Sequence, residues 1–401
     1  MLQSRLLRFC TAAILAAFLL CGCGPEEATP LPPAAGQTLR IASSLPYKGP
    51  SASQAALIRD SIDLAIDDKR SLLPGWQIEH IALDGGDDET GEWSARNEAA
   101  NARGAARDPS VVAYIGPYAS GGAMVSLPIL NQAGLLQALP VATWPGLTQP
   151  GWIAGEPGRY YPTGAQTMVR LMPPDSAQAR VAARKAKDIG ASAALIVSDG
   201  SDYSNGMAST FKDEAEKLNA AVVGPLDVRA SAEEWSNALA KADVVFFAPS
   251  DLSIAVTAAS RIAEHPPSIG VFATDVLLSD RLSRQDRASM QGWYVTFNGD
   301  ATPGGPGRFG EFAGRFEQRF GVQPSQYAAN AYDVTAAILA AAARVGIDRG
   351  KILEEVLRGS YDEGVTGPLR FEANGDIRGG SLTLYRLLGG EYVRQEALAA
   401  P

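Results

Sequence analysis

The sequence contains very little cysteine and histidine. Its three cysteines all lie within the first 23 residues, and its two histidines are His80 and His265. If that N-terminal segment is a cleaved signal, the mature chain keeps no thiol for a disulfide, a zinc site or a cysteine nucleophile. The two histidines also leave few candidates for a general base.

Long apolar runs and clusters of positive charge are missing as well. After the N-terminus, no segment reaches the uncharged stretch of about 18 apolar residues that a membrane-spanning helix needs. The net charge is −9, and Lys and Arg are scattered along the chain. These features argue against nucleic acid and anionic membrane surfaces as direct partners. We therefore expect any contact with a membrane to be made by a lipid alone.

The N-terminus reads as a bacterial lipoprotein signal. Arg5 and Arg8 precede the apolar run Phe9–Leu20, and the ending "LCGC" resembles a lipobox. Small Gly22 before Cys23 fits cleavage there, which predicts a signal at 1–22 and a lipidated Cys23. The alternative is a plain secretory signal with an incidental cysteine. Residues 23–37 then form the lipidated cysteine and a Pro- and Glu-containing tether.

From Thr38 onward, short apolar runs alternate with helical patterns. A strand is predicted at Thr38–Ser44, a helix at Ser53–Asp68 and a strand over the run "VVAYIG", and a similar pattern restarts near Ala177. This alternation is typical of doubly wound, mostly parallel sheets, and its repetition indicates two α/β lobes. The Pro- and Gly-rich interval 139–167 is interpreted as an ordered loop region and not as a third domain.

The C-terminal part is predicted to be mainly helical after Asp300. Phe309, Phe312, Phe316 and Phe320 form a stripe at helical spacing, which we interpret as packed core. The stretch "GPLRFEANGDIRGGSLTLYRL" reads as a hairpin with its turn at Asn374-Gly375.

The stretch "GPYASGG" places Ser120 after an apolar strand and at the start of a helix, where it is either a nucleophile or a clamp for a carboxylate. No G-x-S-x-G elbow is present, and Ala123 breaks an S-x-x-K pattern. "DGGDDETGE" does not match a calcium loop, and no G-x-G-x-x-G or Walker lysine loop occurs. We therefore expect binding rather than catalysis, with no cofactor and no metal.

Several motifs resemble the branched-chain amino-acid binding proteins of ABC importers. The chain has "SLPYKGPSA" for the P-L-T-G-P start, "LDGGDD" for the D-D segment and "VVAYIGPYASGG" for the strand and S-G turn. "ALPVATWPGLT", "DYSNGMASTF" and "YAANAYDVTAAILAAA" follow in the order of the family. Each motif is weak alone, and their order along nearly the whole mature chain makes the resemblance strong.

The resemblance implies a type I periplasmic binding protein with two Rossmann-like lobes joined by a three-strand hinge. It places the first lobe at 38–171 and 298–365 and the second at 172–297 and 366–401. A ligand would bind between the lobes, at the carboxyl ends of the strands.

The resemblance also assigns roles to residues. The ligand carboxylate would be held by Ser120 and Thr143 with backbone groups around Val141, while Gly121 and the next glycine let the ligand approach the helix start. The remaining ligand contacts would be Asp275 for an α-ammonium, Tyr203 and Ser250. For Asp275, capping of the next helix is the structural alternative.

Some positions depart from the family pattern. Leu139 replaces a serine, Ser204 a glycine, Gln54 a side-chain-pocket tyrosine, and Ser250 aligns with another tyrosine. The carboxylate half of the site is thus retained, whereas the ammonium half and side-chain pocket are altered. The resemblance implies a lipid-anchored, extracytoplasmic receptor that delivers an amino acid or similar carboxylate to an ABC permease. The alternative is a sensory or regulatory lipoprotein of the same fold.

Overall fold

The computed structural model describes residues 37–264, 270–279, 281–299 and 307–401. The predicted signal, Cys23 and most of the tether lie outside these ranges, as does His265. Within these ranges, every helix is too short or too polar to span a membrane, and no cluster of Cys, His, Asp and Glu side chains is arranged to hold a metal ion.

The first sheet has five parallel strands. They are β1 Thr38–Leu45, β2 Gln77–Asp84, β3 Val111–Ile115, β4 Leu136–Leu139 and β5 Met168–Arg170. Their order is β2-β1-β3-β4-β5, with every pairing parallel. All residues of β3 are buried, as its continuous apolar run requires in a sheet covered on both faces.

Helices cover both faces of this sheet. They are α1 Ala52–Lys69, α2 Ala95–Arg107 and α3 Ser120–Gln132, with later additions α9 Arg308–Phe320, α10 Gln326–Val345 and α11 Arg349–Arg358. Ile58, Ile62 and Ile66 recur at helical spacing on α1 and are buried in a cluster shared with α10 and β1. We call this sheet and these helices the first lobe.

The second sheet has seven strands. They are β6 Ala193–Ser198, β7 Ala221–Asp227, β8 Val244–Phe247, β9 Gly270–Ala273, β10 Tyr294–Asn298, β11 Ser381–Leu388 and β12 Glu391–Ala399. The order is β12-β11-β10-β9-β8-β6-β7, with β11 antiparallel to both of its neighbours and the other pairings parallel.

The helices of the second sheet are α4 Ser176–Asp188, α5 Asp202–Lys217, α6 Ala232–Leu239, α7 Leu252–Glu264 and α8 Arg284–Ser289. Apolar clusters lie on both faces of the sheet. This second lobe and the first are linked by three passes of the chain, after β5, after β10 and before β11. The predicted architecture of two doubly wound lobes is therefore confirmed, while the exact lobe boundaries stay a prediction.

The phenylalanine stripe is core, as expected. Phe312 and Phe316 are buried against α1 and α10, with Phe309 and Phe320 at the margin. The hairpin prediction was only partly right. A turn does form at Asn374-Gly375, but Phe371 and Ile377 make just an isolated bridge there. The long hairpin pairs β11 with β12, and β10 and β12 were not predicted as strands.

Candidate functional site

Ser120 is the first residue of α3, directly beyond the buried strand β3. Its Oγ accepts hydrogen bonds from the backbone N–H groups of Thr143 and Trp144, both at 3.2 Å. The hydroxyl hydrogen is thus left to donate elsewhere, and the first N–H groups of a helix have no intrahelical acceptor. The structure brings Ser120 and Thr143 together, and the helix dipole favours an anion at this point.

Among the residues that the structure describes, no histidine is a hydrogen-bond partner of the Ser120 side chain. His80 is occupied elsewhere, with Nε2 2.8 Å from Ser43 Oγ and Nδ1 2.7 Å from Asp63 Oδ1. Because Ser43 is fully buried, this Ser-His-Asp group has no access to a substrate. Nucleophilic catalysis needs a base within hydrogen-bond reach of the nucleophile, and Ser120 accepts from backbone N–H groups instead.

A buried arginine fixes the loop that carries Thr143. Arg170, on β5, is fully buried and donates to Trp144 O and Thr148 Oγ1, both at 2.7 Å. Its guanidinium also pairs with the carboxylate of Asp376. A buried charge needs this degree of pairing, so Arg170 holds the loop close to the start of α3. Val141 lies in the same loop, half-buried against the core of the first lobe.

The loop connects to the second lobe through a carboxyl group that the motifs did not single out. Thr143 Oγ1 donates to Asp175 Oδ2 at 3.1 Å. Asp175 Oδ1 accepts from Asn298 Nδ2 at 2.7 Å and from Gln178 Nε2 at 3.0 Å. Gln178 Nε2 also donates to Asp275 Oδ1 at 3.1 Å. One hydrogen-bonded network therefore runs from Ser120 through Thr143, Asp175 and Gln178 to Asp275.

Asp175 precedes α4 in the N-cap position, a place where aspartate is common for structural reasons. Its side chain makes no capping bond and takes part in the network instead. Nothing in the local pattern distinguishes an aspartate that caps a helix from one whose side chain turns away, so this role could not be predicted from the sequence. Asp275 begins a short 3-10 turn after β9 and is likewise not a side-chain cap.

Both carboxyl groups are electrostatically unusual. Asp175 is 7% exposed and Asp275 is partly exposed. Burial raises the pKa of Asp175, and the neighbouring Asp275 raises it further. Burial also raises the pKa of Asp275. The ion pairs found in the described ranges include neither group, and Arg170, whose charge lowers the pKa of Asp175, is paired with Asp376. The site is thus rich in acceptors for a positive group.

Aromatic rings surround the network. Tyr203 of α5 lies 6.4 Å from the Trp144 ring, and Trp152 lies 5.3 Å from the same ring in an edge contact. Burial raises the pKa of Tyr203, and the charges of Asp175 and Asp275 add to this. The predicted residue Tyr203 therefore contacts the Trp144 ring and lies within range of the charges of the two carboxyls.

A second aromatic group was not anticipated. Tyr327 of α10 contacts Tyr118 at 6.0 Å and Phe297 at 6.4 Å between ring centroids. Burial raises the pKa of Tyr327, with further contributions from Tyr118 and the two acids. These rings come from three separate parts of the chain, so no short motif contains them.

Two predicted residues have other surroundings. At Gly121, a Cβ would lie 2.5 Å from Cζ2 of Trp93, and a role of this glycine in ligand approach stays a prediction. The missing side chain makes room for that half-exposed indole. Ser250 is exposed and its backbone N–H donates to Asp199 at 2.7 Å. The structure does not bring Ser250 into the network, and its role in binding stays a prediction.

The fold defines a protein of two α/β lobes linked by three passes of the chain. A model of the periplasmic binding protein family matches residues 38–391, and the chain belongs to that family. The resemblance read from the motifs is thus confirmed. A search of the curated proteins finds no match.

Solved structures of similar proteins share this fold. One is an ABC transporter substrate-binding protein from Desulfitobacterium hafniense in complex with Leu, 20% identical, with a TM-score of 0.69, covering 90% of this chain and 100% of that one. A leucine binding protein from Thermotoga maritima is 20% identical, with a TM-score of 0.65 and coverage of 90% and 98%. A solute binding protein from R. palustris in complex with benzoate is 18% identical, with a TM-score of 0.63 and coverage of 90% and 97%.

Proposed function

We propose that this protein is the lipid-anchored, extracytoplasmic substrate-binding protein of an ABC importer, and that it binds an amino acid or similar small carboxylate between its lobes. The observation that carries the proposal is the single network joining Ser120 and Thr143 to Asp275. It combines donors for an anion with acceptors for a cation in one cleft.

The carboxylate would bind at the start of α3. The hydroxyl of Ser120 and the first N–H groups of the helix supply charge-assisted hydrogen bonds, and the helix dipole adds to them. Ser120 binds and does not react in this proposal, since the partners of its Oγ within the described ranges are backbone N–H groups. Thr143 orients its hydroxyl toward Asp175 and its backbone N–H toward Ser120.

Closure of the lobes completes the site. Tyr203 and Asp275 belong to the second lobe, whereas Ser120 and Trp144 belong to the first, so a ligand bound to both sets favours the closed arrangement. Exclusion of water strengthens the polar contacts, and a dissociation constant in the micromolar range corresponds to about −8 kcal/mol. The closed shape would then be recognised by the permease.

Isothermal titration of the purified full-length protein tests the proposal. The ligands are the twenty L-amino acids and, because relatives of the same fold bind leucine or benzoate, a set of aromatic carboxylates. We expect at least one of these small carboxylates to bind with micromolar affinity or better. If none binds, the proposed function is wrong.

The anchor is tested separately at Cys23. The protein expressed in bacteria should fractionate with membranes and incorporate labelled palmitate. Cys23→Ser should abolish both properties. Equal labelling of the variant would contradict the assignment of Cys23.

A further inference from the structure

We propose, going beyond the proposed function, that the Pro- and Gly-rich interval 139–167 carries a latch between the lobes. The latch is the contact between the Trp152 ring, in the first lobe, and Gly206, on α5 of the second lobe. It holds the lobes closed before a ligand arrives. The interval runs from the end of β4 to the start of β5, at one edge of the first sheet.

Helix α5 has a notch at Gly206, and the Trp152 ring lies in it. A Cβ at Gly206 would lie 2.4 Å from Cε3 and 2.5 Å from Cζ3 of this ring, which is too close for a Cβ to be accommodated. Glycine is an unfavourable residue inside a helix, so its presence here needs a reason in packing. The ring of the other lobe supplies that reason.

The Trp152 side chain belongs to apolar clusters of both lobes. It is partly buried against the first-lobe cluster that contains Trp144 and against the second-lobe cluster that contains Phe211. Its ring makes an edge contact with Trp144 at 5.3 Å. Tyr203 of α5 packs against the same two clusters, with its ring 6.4 Å from that of Trp144. Apolar contact therefore joins this loop to α5 directly, in addition to the three passes of the chain.

The loop that carries Trp152 is fixed to the first lobe. Glu156 is buried, and its carboxylate accepts from Trp144 Nε1 and from Ile153 N, both at 3.0 Å. A loop held in this way moves together with its lobe. Opening of the lobes must therefore separate the Trp152 ring from Gly206.

The latch has a consequence for ligand exchange. Its contacts are made by side chains of the chain itself, so they stabilise the closed arrangement with or without a ligand. A ligand enters only while the lobes are apart, and its association rate is reduced in proportion to the fraction of molecules that are open. The latch therefore slows both the entry and the release of a ligand.

Small-angle X-ray scattering of the purified protein, with no ligand added, tests the latch. Trp152→Ala removes the ring, and Gly206→Ala fills the notch with a residue that favours the helix, so both should increase the radius of gyration. Trp76→Ala is the matched control. Trp76 is a partly buried tryptophan of the first-lobe core, just before β2 at the amino end of the sheet, and its loss should leave the radius of gyration unchanged.

Stopped-flow kinetics distinguish a latch from a residue that only contacts the ligand. The probe is the L-amino acid or aromatic carboxylate that binds most tightly in the titration. Trp152→Ala should raise both the association and the dissociation rate constant by about threefold or more, the effect of losing one aromatic contact. Loss of a ligand contact would instead raise mainly the dissociation rate constant.

The outcomes separate the latch from the proposed function. A radius of gyration that is unchanged in both Trp152→Ala and Gly206→Ala, or an equal increase in Trp76→Ala, overturns the latch while ligand binding stands. An association rate constant that does not rise in Trp152→Ala overturns it as well. If the radius of gyration increases as expected and no small carboxylate binds, the latch stands and the proposed function fails.

Discussion

Replacement of the serine at the start of α3 gives a direct prediction. Ser120→Ala removes the Oγ that accepts from Thr143 N and Trp144 N at 3.2 Å and that is free to donate to a ligand carboxylate. The substitution keeps the helix and its dipole. It therefore isolates the contribution of one hydroxyl to ligand binding.

The magnitude follows from the charge of the partner. A hydrogen bond to a charged group contributes about 1.5–3 kcal/mol, which corresponds to a loss of roughly 10- to 150-fold in affinity. The two backbone N–H groups lose an acceptor as well, but they become available to the ligand carboxylate. We therefore expect a loss near the lower end of this range.

Isothermal titration measures the effect with the amino acid that binds the wild type most tightly. Ser126→Ala is the matched control on the same helix. Ser126 is fully buried, donates to Gly122 O and accepts from Gln137 Nε2 at 2.8 Å, so its loss affects stability and not the clamp. Affinity of Ser120→Ala within twofold of the wild type, or an equal loss in both variants, would refute the assignment of Ser120.

Three further substitutions test the framework of the site. Gly206→Ala places a Cβ 2.4 Å from the Trp152 ring of the other lobe, so overpacking should hinder closure and weaken ligand binding about tenfold or more by titration. Asp376→Asn leaves the fully buried Arg170 without its carboxylate, and urea denaturation should show a loss of about 3–5 kcal/mol. Burial raises the pKa of Asp333 to about 6. The free energy of unfolding should therefore fall by about 3 kcal/mol as the pH rises from about 4 to about 6. Asp333→Asn should remove that part of the fall.

Proton linkage explains why the free energy of unfolding falls as the pH rises in the Asp333 prediction. Below the ordinary pKa, Asp333 is protonated in both states, whereas between the two pKa values the folded state retains a proton that the unfolded state has lost. A steeper fall of the free energy of unfolding in Asp333→Asn would contradict the reasoning.

For the Gly206→Ala prediction on lobe closure, the control is Gly314→Ala, because Gly314 is an exposed helical glycine with open space around its Cβ position. Equal affinity of Gly206→Ala and Gly314→Ala would count against a lobe contact at Trp152.

The lobes were predictable because their signals are local. The run Val111–Ile115 is apolar throughout, is bounded by glycine and is followed by a helical pattern, and it became a buried strand as expected. The strand Glu391–Ala399 was missed because most of its residues are exposed at the edge of the sheet and its apolar and polar residues do not alternate. Its pairing partner, rather than its own pattern, makes it a strand.

The site was only half predictable for the same reason. Ser120 and Thr143 lie in motifs that a resemblance identifies, and the structure brings them together. Asp175 also depends on Asn298, which contacts it from 123 residues further along the chain. The contact of Gly121 with Trp93 could not be predicted, because Trp93 is distant in sequence.

A crystal structure of the protein with its tightest amino-acid ligand tests the central claim most directly. The account predicts the ligand carboxylate at Ser120 Oγ and the N–H groups at the start of α3, with the amine in hydrogen-bond contact with Asp275. A ligand bound outside the region between the lobes, or one whose amine points away from Asp275, would contradict it.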